Sequence, residues 1–472
     1  MAYCFLTSRD QRQPPASCAA LSGTLRADGL SSYGNPRPTS PNLDRLAESG
    51  VLFEVAFAPA PQTGPSHATL FTGWNPWVHR VSNNHSDAGQ VAHLPAEFET
   101  LAERFKDAGY QTAAITDGAV LRGDFGLTQG FESFDGRYEG VRQKVDRALD
   151  FLEHQRDERP LLLFLHTYQV HQPYTAPAEW IAKFDPAYDG ILKPVEDLIR
   201  DRADRRGEPL KESYAFADSE ILFRDRAQFS DRDIEHLRAL YDAAIAYTDQ
   251  ELNRLWEYLE RNGKLDETLL VITSDHGEEF NEHGYIGHTE LYRESLQVPL
   301  IVRLPGGPSS PAAGRRVSAP VALVDVHRTL LEATGLGSSP ETEGFDLLEG
   351  LRQDHFPERP IISATTDHFY PTAEGEPSRL SVRHRNHSML RYQSGSELSR
   401  TLYDYVADPA EAHPLELSRS VRQTLSELDE MLDLDIGTQG RQRRAILLNA
   451  TPTAPQLDQE TLDELQSLGY VR

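Results

Sequence analysis

Four short apolar runs, separated by amphipathic or polar stretches, constrain this chain more than any other feature. They are TAAIT (112–116), LLLFLHT (161–167), TLLVITS (268–274) and PLIVRLP (299–305). Continuous apolar strands of this kind are covered on both faces, as in a mostly parallel sheet flanked by helices. The strongest helical pattern, Asp231 to Arg261, lies between the second and third runs. Ile234, Leu237, Tyr241, Ile245, Thr248, Leu252, Leu255 and Leu259 recur there at helical spacing. Ser230 is placed to cap it, with Asp233 three residues on. The expected fold class is therefore α/β, and 472 residues suffice for one large domain or a large and a small one.

Residues 186–229 are polar and poorly periodic, as expected of an insertion over one end of the sheet. After the loop GGPSSPAAG come a helical stretch, VDVHRTLLEATGL, and then SVRHRNHSMLRYQ and TLYDYVADP, which read as antiparallel strands and a turn. A smaller α+β subdomain is thus expected over 345–472, behind a main domain over 24–344. Residues 1–23 are atypical. RQPPASCAALSG carries two prolines and no β-branched run, so it makes a poor central strand.

A net charge of −26 excludes nucleic acid as a partner, because phosphate binding needs clustered Lys and Arg. It also requires that any anionic substrate meet a locally positive pocket built from metal, His and helix ends. No apolar run reaches membrane-spanning length, and MAYCFLTSRDQRQPPA lacks the apolar core of a signal peptide. As written, the chain reads as cytoplasmic, with a periplasmic or secreted location open if the true N-terminus differs. Cys4 and Cys18 imply no disulfide framework.

Three segments carry chemistry. In QTGPSHATLFTG, Pro65 suits the first turn of a helix, which sets Thr63 and Gly64 at its positive end. Thr63 is then either an activated hydroxyl or simply a helix cap. The strand TLLVITS ends in Asp275 and His276, a reasonable ligand pair for one divalent cation at the end of a strand where open α/β sheets place their sites. His288 follows Gly287 and can reach the same pocket, whereas His283 reads as a loop histidine satisfied by the backbone. The strand LLLFLHT carries His166, read as a packed strand-end residue. His171 lies beyond it and can hold substrate oxygens or protonate a leaving group.

Taken together, TLRADGLSSYG, TSPNLDRLAESGVLFEVAFAPAPQTGPSHATLFTG, TLLVITSDHGEEFNEHG, LYRESLQVPLIVRLPG, LYDYVADPAE and the tail LDELQSLGYVR resemble the sulfatase family of the alkaline phosphatase superfamily over nearly the whole chain. The resemblance implies an alkaline-phosphatase-like three-layer sandwich with a smaller C-terminal subdomain. It also implies metal-assisted hydrolysis of a small anionic ester, sulfuric or phosphoric, with one divalent ion (Ca, Mg, Mn or Zn). By the same resemblance Thr63 matches the nucleophile and a metal contact, Asp275 and His276 match metal ligands, and His171 and His288 match groups on the substrate. Asn84, in VHRVSNNH, matches an Asn near the nucleophile, and His67 stands where the family signature has Arg.

Two departures stand out. The family's formylglycine derives from Cys or Ser, so Thr63 cannot supply it, and a sulfated threonine must be cleaved by water. That shifts weight towards phosphate esters, diesters or phosphonates and phosphoryl transfer. Gly23 occupies the position where relatives carry a metal-binding Asp, and Asp28 lies outside the aligned position. Three explanations compete. A shifted reading frame upstream of Thr24 is preferred; a relative that binds without turnover and a site with fewer protein ligands are the others.

Overall fold

The computed structural model describes residues 2–4, 16–82, 93–193, 229–365, 379–394 and 396–446. Its centre is a ten-stranded sheet. The main path runs β11 (Arg315–Val317), β3 (Val51–Phe57), β10 (Gln297–Arg303), β7 (Thr268–Ser274), β2 (Ala16–Ser22), β6 (Leu161–Thr167), β4 (Gln111–Ile115) and β5 (Ser133–Asp135). The short strands β1 (Ala2–Cys4) and β12 (Val321–Ala322) add to β2 and β3. All four apolar runs are sheet strands. β6, β7 and β10 are buried at every residue, as expected when both faces are covered.

The sheet is mixed. β7, β2, β6, β4 and β5 are parallel to one another, but β10 runs antiparallel to both β7 and β3, and β1 antiparallel to β2. The reason lies in the connection. A parallel return needs a crossover, usually a long helix, whereas the chain between β7 and β10 holds only the small hairpin β8 (Glu279–Phe280) and β9 (Ile286–Gly287) and one helical turn at 293–296.

The expectation of a missing first strand is overturned. β2 occupies the middle of the sheet, paired with β6 over Ser17↔Leu162 to Ser22↔Thr167 and with β7 at Ala16↔Thr268. Both prolines precede the strand, and the ladder is supplied by two strongly apolar neighbours. Strand propensity is context-dependent enough for such neighbours to override it.

Helices cover both faces. α1 (Pro41–Glu48), α4 (Val141–His154) and α5 (Ala178–Phe184) pack on α6 (Asp231–Arg261), while α2 (Thr63–Thr72) packs with α3 (Leu101–Asp107) and α7 (Val324–Ala333). The long helix has the bounds its periodicity indicated. Its N-terminus carries a capping box, in which Ser230 and Asp233 satisfy each other's backbone N–H groups. The insertion expected at 186–229 falls mostly outside the described residues.

The C-terminal subdomain comprises α8 (Leu347–Gln353), an antiparallel sheet of β13 (Ile361–Ala364), β14 (Arg379–His384), β15 (His387–Ser394) and β16 (Glu397–Asp404), and α9 (Arg419–Ile446). A buried ion pair ties it to the large sheet. From β14, Arg383 Nη2 reaches Glu411 Oε2 at 3.1 Å and the Leu291 carbonyl at 3.1 Å, with the guanidinium 4.7 Å from the centre of the Phe57 ring. Glu411 also accepts from the Arg293 N–H at 2.8 Å. Removing one partner strands the other charge in the interior. Glu411→Ala is therefore expected to lower unfolding free energy in denaturant titration by about 3–5 kcal/mol, and the apolar pair Arg383→Met/Glu411→Leu by much less.

Candidate active site

Because β7, β2, β6 and β4 are parallel, their carboxyl ends emerge on one edge and bring residues from four distant segments together. From β7 come Asp275 and His276; from β2, Gly23 and Thr24; from β6, His166 and the turn carrying His171. After β4 comes Asp117, a strand-end carboxylate that the sequence reading passed over. Each is at most 2% exposed where it has a side chain.

Thr63 opens α2 from the neighbouring layer. The cap position is Gln62, whose side chain makes no capping bond, so Thr63 is not the cap of its helix. Its Oγ1 lies 3.4 Å from His276 Nε2. His276 Nδ1 donates to the Gly277 carbonyl at 3.0 Å, which leaves the lone pair on Nε2 facing the hydroxyl. Burial pushes this imidazole down to about 4, so it is unprotonated at pH 7 and its Nε2 lone pair can accept a proton.

Asp275 is oriented by its surroundings. Oδ1 accepts from Thr24 N at 3.1 Å and His276 N at 3.0 Å. Oδ2 accepts no hydrogen bond among the described residues and lies 3.5 Å from His276 Nε2 and 3.8 Å from His67 Nδ1. Thr24 makes its contribution from a left-handed conformation, φ 61°, which a β-branched residue rarely adopts. Three contacts hold it there: Asp275, the Val170 carbonyl at 3.0 Å from Oγ1, and the Tyr241 hydroxyl donating to its carbonyl at 2.6 Å.

His171 and His288 meet across the pocket, Nε2 to Nε2, at 3.1 Å. Their Nδ1 atoms donate to the Gln172 carbonyl at 2.7 Å and the Pro61 carbonyl at 3.1 Å. Burial, and secondarily His276, pushes His288 down to about 3. His288 also stacks 4.4 Å from His276, centre to centre, and this contact joins the pair to Thr63.

His67 and His166 are more involved than sequence suggested. His67 Nδ1 donates to the Thr63 carbonyl at 2.7 Å. His166 sits edge-on to it at 5.1 Å, and neither of its ring nitrogens has a hydrogen-bond partner among the described residues. Burial lowers both imidazoles, so both are neutral. One ligand atom each from His67, His166 and Asp275 fall within 4.8 Å of one another. The donor set therefore fits a divalent cation. His283 lies apart, stacked on Tyr292 and 3.3 Å from Glu294 Oε2, a carboxylate rather than the backbone partner expected. Asn84 lies outside the described residues.

This constellation of strand-end Asp and His facing a helix-tip hydroxyl is accompanied by a family match: residues 21–336 match the sulfatase family. The chain belongs to the sulfatase family. Residues 281–436 also match the C-terminal region of N-sulphoglucosamine sulphohydrolase. Among sequences, it is similar to an N-acetylglucosamine-6-O-sulfatase of Bacteroides thetaiotaomicron, 22% identical over 92% of this chain and 88% of the relative. Among structures, it resembles a protein solved with its substrate D-glucosamine-2-N,6-O-disulfate, with a TM-score of 0.72 at 21% identity over 91% of this chain and 99% of that one. A phosphonate monoester hydrolase of Agrobacterium radiobacter gives 0.69 at 22% identity, over 90% and 96%.

Asp117 supports this sulfatase site from beneath. Its Oδ2 accepts from Tyr168 N at 2.7 Å and Thr167 Oγ1 at 2.9 Å, fixing the turn that leads to His171. Its Oδ1 lies 3.4 Å from the wholly buried Lys144 ammonium. Asp117→Ala is expected to destabilise the fold by about 3 kcal/mol, since it removes the nearer carboxylate of that buried charge and leaves it Glu139, 3.9 Å away, and the Arg137 carbonyl. Thermal unfolding measures the loss, and Asp117→Ala/Lys144→Met should recover most of it.

Proposed function

We propose that this protein hydrolyses a small anionic ester with Thr63 as nucleophile, a sulfate monoester in the first reading. The observation that carries the proposal is the 3.4 Å approach of Thr63 Oγ1 to the unprotonated Nε2 of His276, at a helix tip beside Asp275. A hydroxyl with an adjacent base is the arrangement an oxygen nucleophile needs. The names of its relatives favour a sulfated sugar as the substrate class.

In this reading the Thr63 hydroxyl gives its proton to His276 Nε2 as Oγ1 forms a bond to sulfur. The bond from sulfur to the ester oxygen breaks, and that oxygen leaves with a proton. The His171–His288 pair supplies it. Burial holds His288 neutral in the free protein, and with each Nδ1–H already directed at a carbonyl the two Nε2 atoms share a hydrogen bond only after the pair takes up one proton from solvent, which an incoming anion favours. Water then attacks sulfur and releases Thr63, since threonine has no aldehyde to collapse to. A divalent cation, when bound, supplies Lewis-acid stabilisation of the ester oxygens and lowers the pKa of the Thr63 hydroxyl. The positive end of α2 adds to the field that draws the anion in.

A second reading, hydrolysis of phosphate esters, diesters or phosphonates, is favoured by Thr63 itself, which cannot be converted to formylglycine.

Aryl sulfate, aryl phosphate and aryl phosphonate substrates, each assayed with Zn²⁺, Mn²⁺ and Ca²⁺, separate the two. Thr63→Ala is expected to lower kcat by at least about 10³-fold with little change in substrate binding. Thr63→Ser should keep measurable turnover. Quenched wild-type enzyme should show a sulfated or phosphorylated peptide containing Thr63. Absence of turnover with every substrate and metal would leave a binding protein on this fold.

A further inference from the structure

We propose that this chain holds its divalent cation with His67, His166 and Asp275, and so selects a cation that accepts imidazole nitrogen, such as Zn²⁺, over Ca²⁺. The inference rests on the reading of the site as that of a metal-assisted hydrolase, and names which residues of this chain do the holding. It leaves His276 to serve Thr63, 3.4 Å away.

Each of the three side chains keeps an atom with no hydrogen-bond partner among the described residues, and the three lie side by side, with His67 Nδ1 3.8 Å from Asp275 Oδ2. His67 Nδ1 donates to the Thr63 carbonyl at 2.7 Å, so the lone pair sits on Nε2, which has no hydrogen-bond partner among the described residues. His166 has none at either nitrogen. Asp275 has Oδ1 engaged by Thr24 N and His276 N, while Oδ2 accepts no hydrogen bond. The three residues are 0%, 0% and 1% exposed, and one ligand atom from each lies within 4.8 Å of the other two. Three neighbouring buried polar groups with unspent atoms are costly unless something binds them.

The chemistry of the donors selects the occupant. Two imidazoles and one carboxylate suit Zn²⁺, Fe²⁺ or Co²⁺ and leave a coordination position open, whereas Ca²⁺ and Mg²⁺ want oxygen. The hydrogen bond from His67 to the Thr63 carbonyl is the outer-shell contact that fixes the tautomer of a metal-binding histidine.

Gly23 gives an independent reason for a nitrogen-rich set. A Cβ built on it would lie 3.7 Å from His166 Nε2, so the position where relatives place a carboxylate borders the imidazole that takes over. The same Cβ would stand 2.8 Å from Tyr168 Cδ1, so the tyrosine ring fills the room an aspartate would need.

Metal-stripped full-length protein is titrated calorimetrically with Zn²⁺ and Ca²⁺, and the zinc form is examined by X-ray absorption at the zinc edge. The expected result is one tightly bound Zn²⁺ per chain with two imidazole ligands, and Ca²⁺ bound far more weakly. His67→Ala and His166→Ala should each weaken Zn²⁺ binding by more than about 100-fold, with His283→Ala, a histidine that lies apart from the pocket, close to wild type. Gly23→Asp should narrow the gap between Zn²⁺ and Ca²⁺. Stronger binding of Ca²⁺, or an edge spectrum with oxygen ligands alone, would overturn the proposal. The spectrum needs only the wild-type chain, so a variant that fails to fold does not shield it. Turnover that depends on Thr63 while both histidine variants bind Zn²⁺ normally sinks this inference and spares the hydrolase. Histidine-dependent Zn²⁺ binding without any turnover does the reverse.

Discussion

The pocket depends first on how Asp275 is held. A strand-end carboxylate with both oxygens solvated would be a mobile acid. Here Oδ1 is engaged by two backbone N–H groups, one of them from Thr24 on the neighbouring strand, and Oδ2 is thereby aimed at the imidazoles. The left-handed φ of Thr24 has an energetic cost of order 1–3 kcal/mol. It is tolerated because its N–H, hydroxyl and carbonyl are each bonded to a different element. The strained residue and the aimed carboxylate are two sides of one arrangement, and the parallel alignment of β2 with β7 and β6 makes it possible.

The charge of the pocket's own side chains explains why helix tip and cation matter together in the proposed reaction. Burial keeps His67, His166, His276 and His288 neutral at pH 7, and Lys144 is committed to Asp117. None of these imidazoles can draw in an anion by fixed charge. In the proposed reaction the attraction on a chain of net charge −26 comes from the α2 terminus and from the dication. Neutral imidazoles are, conversely, what proton transfer from Thr63 and metal ligation both require.

Much of this was legible in the sequence, and the reasons differ from element to element. LLLFLHT, TLLVITS and the helix 231–261 were read to the residue because their burial is uniform or strictly periodic, and periodicity survives in one dimension. Thr63, Asp275, His276, His171 and His288 stand out as candidates because each lies at or just beyond the end of an element, and the structure sets them in one pocket. β2 was not read as a strand, since its stability lies in its neighbours rather than in ASCAALS. The antiparallel course of β10 was hidden in the length of a connection. His166 reads as core by every local criterion. Only the meeting of β6 with α2 shows that its nitrogens go unpaired beside His67 and Asp275, and no one-dimensional pattern encodes that meeting.

The two departures from the family pattern gain meaning when their charges are added. The family resemblance sets an aspartate at the position of Gly23 and an arginine at that of His67. One negative and one positive charge are lost together, so the summed charge at the two positions is zero in either case. Under the proposed function an anionic ester would thus meet the same net field with the dication bound, although the groups that produce it differ. A lone loss of the aspartate would have left a pocket one unit more positive, and a lone loss of the arginine one unit more negative. Placing aspartate at Gly23 therefore does more than crowd Tyr168, whose ring lies 2.8 Å from the new Cβ. It adds a charge that His67, neutral and bonded to the Thr63 carbonyl, does not offset.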